Sequence, residues 1–258
     1  MYERWYLVLE QKRSLYICAK PKSMESILFL PGALAGKTQV EALRSKLGEQ
    51  YQTYALSFPG HEEESMDERA FNIAGLADYV LHWMDENNIV AAHIFGYSMG
   101  GYIALWLARF FPKRVKCIMT VGTKFHWDKE QALKEVKMLD PDKIEAKVPA
   151  FAETLRRKHG ENSWRLVLQN TAHLMTALGQ YHLLEEDFRL IDTPVLLCRG
   201  ENDTMVSEAE TLSVASFLKY GNTCFFSSRG HAFEDYTTLE ISDKLIHFLK
   251  SHKSFSIK

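Results

Sequence analysis

The sequence predicts a doubly wound α/β fold: a mostly parallel sheet between helices, with a leading antiparallel hairpin and an inserted helical lid. Three observations carry that expectation. Short runs that are apolar on both faces recur along the chain, as the interior strands of a parallel sheet require. Helical-period stretches separate them. From Lys124 to Leu190 this alternation stops, and helical signal alone fills the interval.

The elements follow in order. Residues 4–10 and 14–19 read as a hairpin joined across Gln11–Arg13. Residues 26–30 (SILFL) are a buried strand that ends at Pro31-Gly32, and residues 51–58 a second that ends at Pro59-Gly60. Residues 91–95 (AAHIF) run into Gly96, and residues 115–122, 193–200 and 222–230 complete the strands. Between them, 39–47 places Val40, Leu43 and Leu47 on one helical face. Ser65-Met66-Asp67-Glu68 has the spacing of a capping box and predicts a helix over 66–84. Residues 99–111 are apolar nearly all round until Pro112, which marks a buried helix. Ser207-Glu208-Ala209-Glu210 starts another capped helix, and 236–250 forms the last.

Within the insertion, Asp128 is placed to cap one helix and Pro141 to open another, while 162–179 repeats apolar residues at helical spacing. The expected organisation is one domain over 1–258, with residues 124–190 forming a lid over the C-terminal edge of the sheet, where α/β ligand sites form.

Composition narrows the function classes. The chain has 258 residues, 46% hydrophobic and 25% charged, enough for one large core. A net charge of −2 gives no field for nucleic acid or an anionic membrane, so neither is expected as a partner. No apolar run approaches a membrane span, and the first residues lack the pattern of a secretory signal, so a cytoplasmic location is expected. The four cysteines are far apart and read as reduced. No metal-ligand spacing, phosphate loop or dinucleotide fingerprint occurs, so no metal or cofactor is expected. Oligomeric state is not legible.

The chemistry concentrates at Gly96-Tyr97-Ser98-Met99-Gly100-Gly101. A strand that runs straight into a helix needs a sharp turn, and glycines two residues either side of Ser98 remove side-chain atoms that would collide there. A serine at such an apex is presented for use. It needs a base, and the base an orienting acid. His231 follows the last strand, and Asp203 follows the strand before it with two more residues of loop than Glu201, the alternative acid. His93 lies inside a strand and reads as structural. The nucleophile's oxyanion would be held by the amide of Met99 and one from Leu-Pro-Gly-Ala-Leu-Ala-Gly, with Ala33 first and Leu34 next. Candidate substrate contacts are Leu34, Tyr97, Phe125, Trp127, Trp164 and Met175.

In order along the chain, LPGALAG, FPGH, GYSMGG, the helical insertion, GENDTMV and GHAFED resemble the α/β-hydrolase superfamily. The resemblance implies Ser98 as nucleophile, Asp203 as acid, His231 as base, and the Ala33 and Met99 amides as the oxyanion hole. It implies a serine hydrolase acting on a small-molecule ester, thioester or similar acyl substrate. Alternatives on the same scaffold are C–C cleavage or elimination by the same triad, and a non-catalytic binder of a small ligand. Pro31 stands where a histidine often precedes the glycine of the oxyanion loop. GYSMGGYIAL also resembles the vitamin K pathway lyase branch, which carries an arginine where this chain has Tyr102.

Overall fold

Six of the apolar runs become the strands β1 (Ser26–Leu30), β2 (Gln52–Ala55), β3 (Ala92–Tyr97), β4 (Val115–Val121), β5 (Val195–Gly200) and β6 (Gly221–Phe226). The computed structural model describes residues 24–62, 64–67 and 71–252, so the hairpin expected over 4–19 lies outside the described residues. Among the described residues all pairings are parallel, in the order β2-β1-β3-β4-β5-β6. Both faces of the central strands are covered. Leu28, Leu30, Ile94, Ile118, Val195 and Leu197 enter one core, while Ile27, Phe29, Phe95, Met119, Val121 and Leu196 enter the other. This two-residue alternation, apolar on both sides, is why the strands read as continuous apolar runs.

On the first face pack α2 (Ile73–Glu86), α3 (Met99–Phe110) and α9 (Glu208–Phe217). On the second pack α1 (Glu41–Leu47) and α10 (Thr238–Ser251). Between β4 and β5 the chain forms α4 (Lys129–Val136), α5 (Pro141–Lys147), α6 (Pro149–His159), α7 (Trp164–Leu178) and α8 (Glu185–Arg189). Asp128 caps α4 by accepting the Gln131 amide, and Pro141 is the first residue of α5. Ser207 and Glu210 cap α9 reciprocally.

One helix start differs from expectation. α2 begins at Ile73, not at 66, because Asn72 supplies the cap: its side chain accepts the Gly75 amide at 2.9 Å. The Ser65 carbonyl instead accepts the Gly60 amide, closing a loop. A capping-box spacing was present at Ser65, yet the working cap lies seven residues later.

The strand order reverses between β1 and β3, so the loops after these two strands diverge around a crevice at the C-terminal edge of the sheet. Register places Leu30 beside Gly96, Tyr97 beside Val121, Val121 beside Cys198, and Gly200 beside Phe226. The loops after β1, β3, β4, β5 and β6 therefore leave the sheet along one rim. Among the described residues, no helix is long and apolar enough to cross a membrane.

Three histidines are buried: His61, His93 and His159. Burial pushes the pKa of each below the ordinary imidazole value, to about 4 for His93 and His159. The unfolded chain then binds these protons first. Their stabilisation is complete above about pH 6.5 and is lost as pH falls toward 4. The rings of His93 and His159 each contribute about 2 kcal/mol to the difference between pH 7 and pH 5, a window above most of the carboxylate titration, and His61 acts in the same direction. Urea midpoints are expected to fall over that interval; an unchanged midpoint would contradict the assignment.

Candidate active site

Ser98 sits between the last residue of β3 and the first of α3, with φ 49° and ψ −114°. A side chain there is strained by about 1–3 kcal/mol, and the surroundings must impose it. They do so by close approach. A Cβ at Gly96 would lie 2.5 Å from the Gly101 backbone, and one at Gly100 would lie 2.3 Å from the Leu30 carbonyl oxygen. Glycine at both positions lets the helix rest on its own strand and on the end of β1. The Ser98 amide donates to the Val121 carbonyl at 2.8 Å, and Thr123 Oγ1 donates to the Ser98 carbonyl at 3.0 Å.

Asp203 and His231 come together. Asp203 Oδ2 accepts from His231 Nδ1 at 2.8 Å, and Oδ1 accepts the amides of Met205 and Val206 at 2.8 and 2.9 Å. The Asp203 side chain is fully buried while that of His231 is 20% exposed, so the carboxylate is shielded and the imidazole reaches solvent. Burial would raise the Asp203 carboxyl, but the bonds from His231 and the two amides outweigh it and hold its pKa below the usual value.

Two contacts hold the loops of this pair in place. Gly200 allows the Arg229 carbonyl to pass close, since a Cβ there would lie 2.1 Å from that oxygen, and the Asn202 amide donates to the same carbonyl at 2.8 Å. Buried Arg199 donates to the Asp203 carbonyl at 2.9 Å and the Val206 carbonyl at 3.1 Å. Glu201, the alternative acid, turns outward to Ser227 and Ser228.

His231 borders Gly122: a Cβ at that glycine would lie 3.4 Å from the imidazole Nδ1 and Cε1. Ser98 binds the neighbouring residue, Val121, so serine and imidazole flank the same end of β4. No hydrogen bond joins their side chains among the described residues. Such contacts are often long before substrate binds and tighten in the complex.

Ser98 opens into a cavity lined by Ala33, Ile73, Met99, Tyr102, Lys124, Trp127, Leu174, Met175 and Leu178. The first amides of a helix have no intrahelical partner, so the Met99 N–H is free to bind at this wall. Ala33, Met99, Trp127 and Met175 are thus at the cavity, with α7 of the insertion supplying Leu174, Met175 and Leu178.

Four candidate contacts are elsewhere. Leu34 packs its side chain on the core of the insertion. Tyr97 lies beneath the His231 loop, where its hydroxyl donates to the His231 carbonyl and its ring packs on Phe233. Phe125 is buried against Phe188. Trp164 is buried between the guanidinium groups of Arg156 and Arg165. For Trp164, helical spacing identifies a buried face but not which core receives it. Tyr102, at the position of the arginine noted above, lines the cavity, and its hydroxyl accepts the Leu183 amide at 2.7 Å.

Residues not singled out from the sequence also shape the site. Lys124 lines the cavity and ties Met205 and Glu135, at 3.0 and 3.5 Å. Arg199 anchors the acid loop; a lone cation within the apolar run of β5 was its sequence signal. Among the described residues no group of three or more His, Cys, Asp and Glu side chains is arranged to hold a metal.

Residues 25–174 match the model of the alpha/beta hydrolase fold family. The dihydrolipoyllysine-residue acetyltransferase component of the acetoin cleaving system of Cupriavidus necator is 35% identical over 98 residues. That match covers 38% of this chain and 26% of the relative, about a quarter of the relative's length. Among solved structures, NosK from Streptomyces actuosus superposes with a TM-score of 0.78 at 16% identity, covering 90% of this chain and all of that one. The enol-lactonase from Burkholderia xenovorans LB400 gives 0.70 at 17% identity, covering 90% of this chain and 93% of that one.

Proposed function

The chain belongs to the alpha/beta hydrolase fold family, and on that premise we propose that it is a serine hydrolase of esters or thioesters with an uncharged, apolar acyl group. The observation that carries the reading is a strained Ser98 opening into an apolar cavity, beside an imidazole whose far nitrogen is held by a buried carboxylate. Asp203 accepts from Nδ1, which leaves Nε2 of His231 as the proton acceptor. As the Ser98 hydroxyl adds to the acyl carbonyl carbon, its proton passes to that nitrogen, and Asp203 stabilises the imidazolium.

The oxygen that becomes negative is held by the Ala33 and Met99 amides, each such donor being worth roughly 3–4 kcal/mol in comparable sites. The imidazolium then protonates the departing alcohol or thiol. Water, deprotonated by the same nitrogen, releases the acid from the acyl-enzyme.

The cavity supports the acyl class. Its cation, Lys124, is engaged by the Met205 carbonyl and Glu135, and the remaining wall is dominated by Met, Leu, Ile and Trp side chains. A carboxylate-bearing acyl group would lack a free cationic partner there.

The test is covalent labelling with a fluorophosphonate. One phosphonyl group is expected on the tryptic peptide containing Ser98, with loss of ester hydrolysis in proportion to labelling. Hydrolysis that persists after complete labelling, or a label on another residue, would overturn the reading.

A further inference from the structure

We propose that His159 and Glu62 form a brace that positions the Ala33 turn for the reaction, so that the end of α6 acts on the oxyanion amides from a distance. The inference rests on the serine hydrolase reading above. It starts from the turn itself. Ala35 donates to the Gly32 carbonyl at 3.3 Å, closing a turn over Gly32, Ala33, Leu34 and Ala35. Leu34 takes φ 59°, the left-handed region in which a turn normally places glycine or asparagine. A leucine held there is strained, and released it would return to negative φ and turn the peptides on either side of it. Ala33, immediately before Leu34, carries the proposed oxyanion amide.

What holds Leu34 comes from the insertion. Its side chain packs on the cluster of Ile144, Ala152, Leu155, Trp164 and Leu168. Its carbonyl lies 3.2 Å from Nε2 of His159, the last residue of α6. The other ring nitrogen, Nδ1, accepts the Glu62 amide at 3.0 Å. One acceptor and one donor define a single neutral tautomer, with the proton on Nε2 and aimed at Leu34. The ring is buried, and burial first, then neighbouring His61, pushes its pKa down to about 4, which keeps it neutral.

Glu62 closes the brace at the other end of the same loop. Its backbone sits at φ 56°, and its carboxylate accepts from the Ser57 hydroxyl, the Thr38 hydroxyl and the Thr38 amide. Ser57 Oγ in turn accepts the Lys37 amide at 2.8 Å. Those hydrogen bonds outweigh burial and hold the carboxyl below its usual pKa. Gly36 makes room for this side chain, since a Cβ there would lie 2.2 Å from Glu62 Cδ. Glu62 therefore grips Thr38 with its carboxylate and His159 with its amide, and His159 grips Leu34. The loop from Gly32 to Thr38 is held at both ends by one polar chain. None of these groups lines the Ser98 cavity, so His159 and Glu62 are positioning residues.

The experiment compares ester hydrolysis by the full chain, its Ser98→Ala control, His159→Leu, His159→Gln and His159→Asn, with thermal melts of each. His159→Leu is expected to lower kcat about 10- to 100-fold with KM within about threefold, as expected for misplaced donors rather than lost binding. The Gln amide nitrogen falls near Nε2 and can still donate to Leu34; the Asn amide falls near Nδ1 and cannot. His159→Gln is therefore expected to recover kcat over His159→Leu, and His159→Asn to recover less. Parental kcat in folded His159→Leu, or equal kcat in folded Gln and Asn variants, would overturn the brace while Ser98→Ala stays inactive. Full hydrolysis by Ser98→Ala would instead overturn the serine hydrolase reading beneath it.

Discussion

Ser98→Ala is expected to lower kcat for ester hydrolysis by at least about 10⁴-fold while leaving the melting temperature within a few degrees of the parent. The substitution removes one oxygen and nothing else that the fold uses. The hydrogen bonds that shape the turn, from the Ser98 amide to Val121 and from Thr123 to the Ser98 carbonyl, are made by backbone atoms. Alanine keeps the same Cβ and bears the same cost at φ 49°. The cavity, the Asp203–His231 pair and the proposed oxyanion amides stay in place, so substrate still binds and residual turnover reflects water attacking without the covalent step. Ser98→Gly should be equally inactive and at least as stable as Ser98→Ala, because glycine occupies positive φ without strain. Steady-state kinetics with a nitrophenyl ester, paired with thermal melts, separates these effects. An alanine variant that turns over at the parental rate would remove Ser98 from the chemistry.

Much of this site was legible because its parts are local. A buried strand that ends in glycine, a serine and an all-apolar helix can be read in one window, and the structure puts a strained Ser98 there. That Asp203 and His231 meet was legible for a different reason. Each follows a parallel strand, and parallel strands deliver their following loops to one rim. What escaped was long-range. Glu62 and His159 are 97 residues apart, and His159 and Leu34 are 125 apart, so no local pattern joins them. Trp164 and Leu34 have the composition of a ligand wall but pack in the core of the insertion, while Phe125 lies in the same core as the cavity wall without lining the cavity. The start of α2 was misread because two cap-like sequences, at Ser65 and Asn72, lie within one helical pattern; the loop closed by Gly60 and Ser65 consumes the first.

Asp203→Asn is expected to lower kcat on the order of 10⁴-fold at neutral pH, the size of the effect of this change in other triads. The reason is the direction in which the new amide must face. Oδ1 of Asp203 already accepts two backbone amides, from Met205 and Val206. An asparagine can keep both only by presenting its carbonyl oxygen to them. Its NH₂ then faces His231 Nδ1, where the carboxylate oxygen had been, at 2.8 Å. The reverse orientation would set NH₂ against two N–H donors in a fully buried side chain, leaving buried polar groups unpaired at about 1–3 kcal/mol each. The amide therefore donates to Nδ1, Nδ1 must become the acceptor, and the imidazole proton moves to Nε2. A ring protonated at Nε2 cannot take the Ser98 proton. The loop itself should persist, because Arg199 still holds the residue 203 carbonyl and both amide bonds remain. The expected signature is thus a folded protein with a near-parental melting temperature, near-parental KM and a collapsed kcat. Parental kcat in this variant would mean that the Asp203–His231 bond, however well formed, takes no part in the reaction.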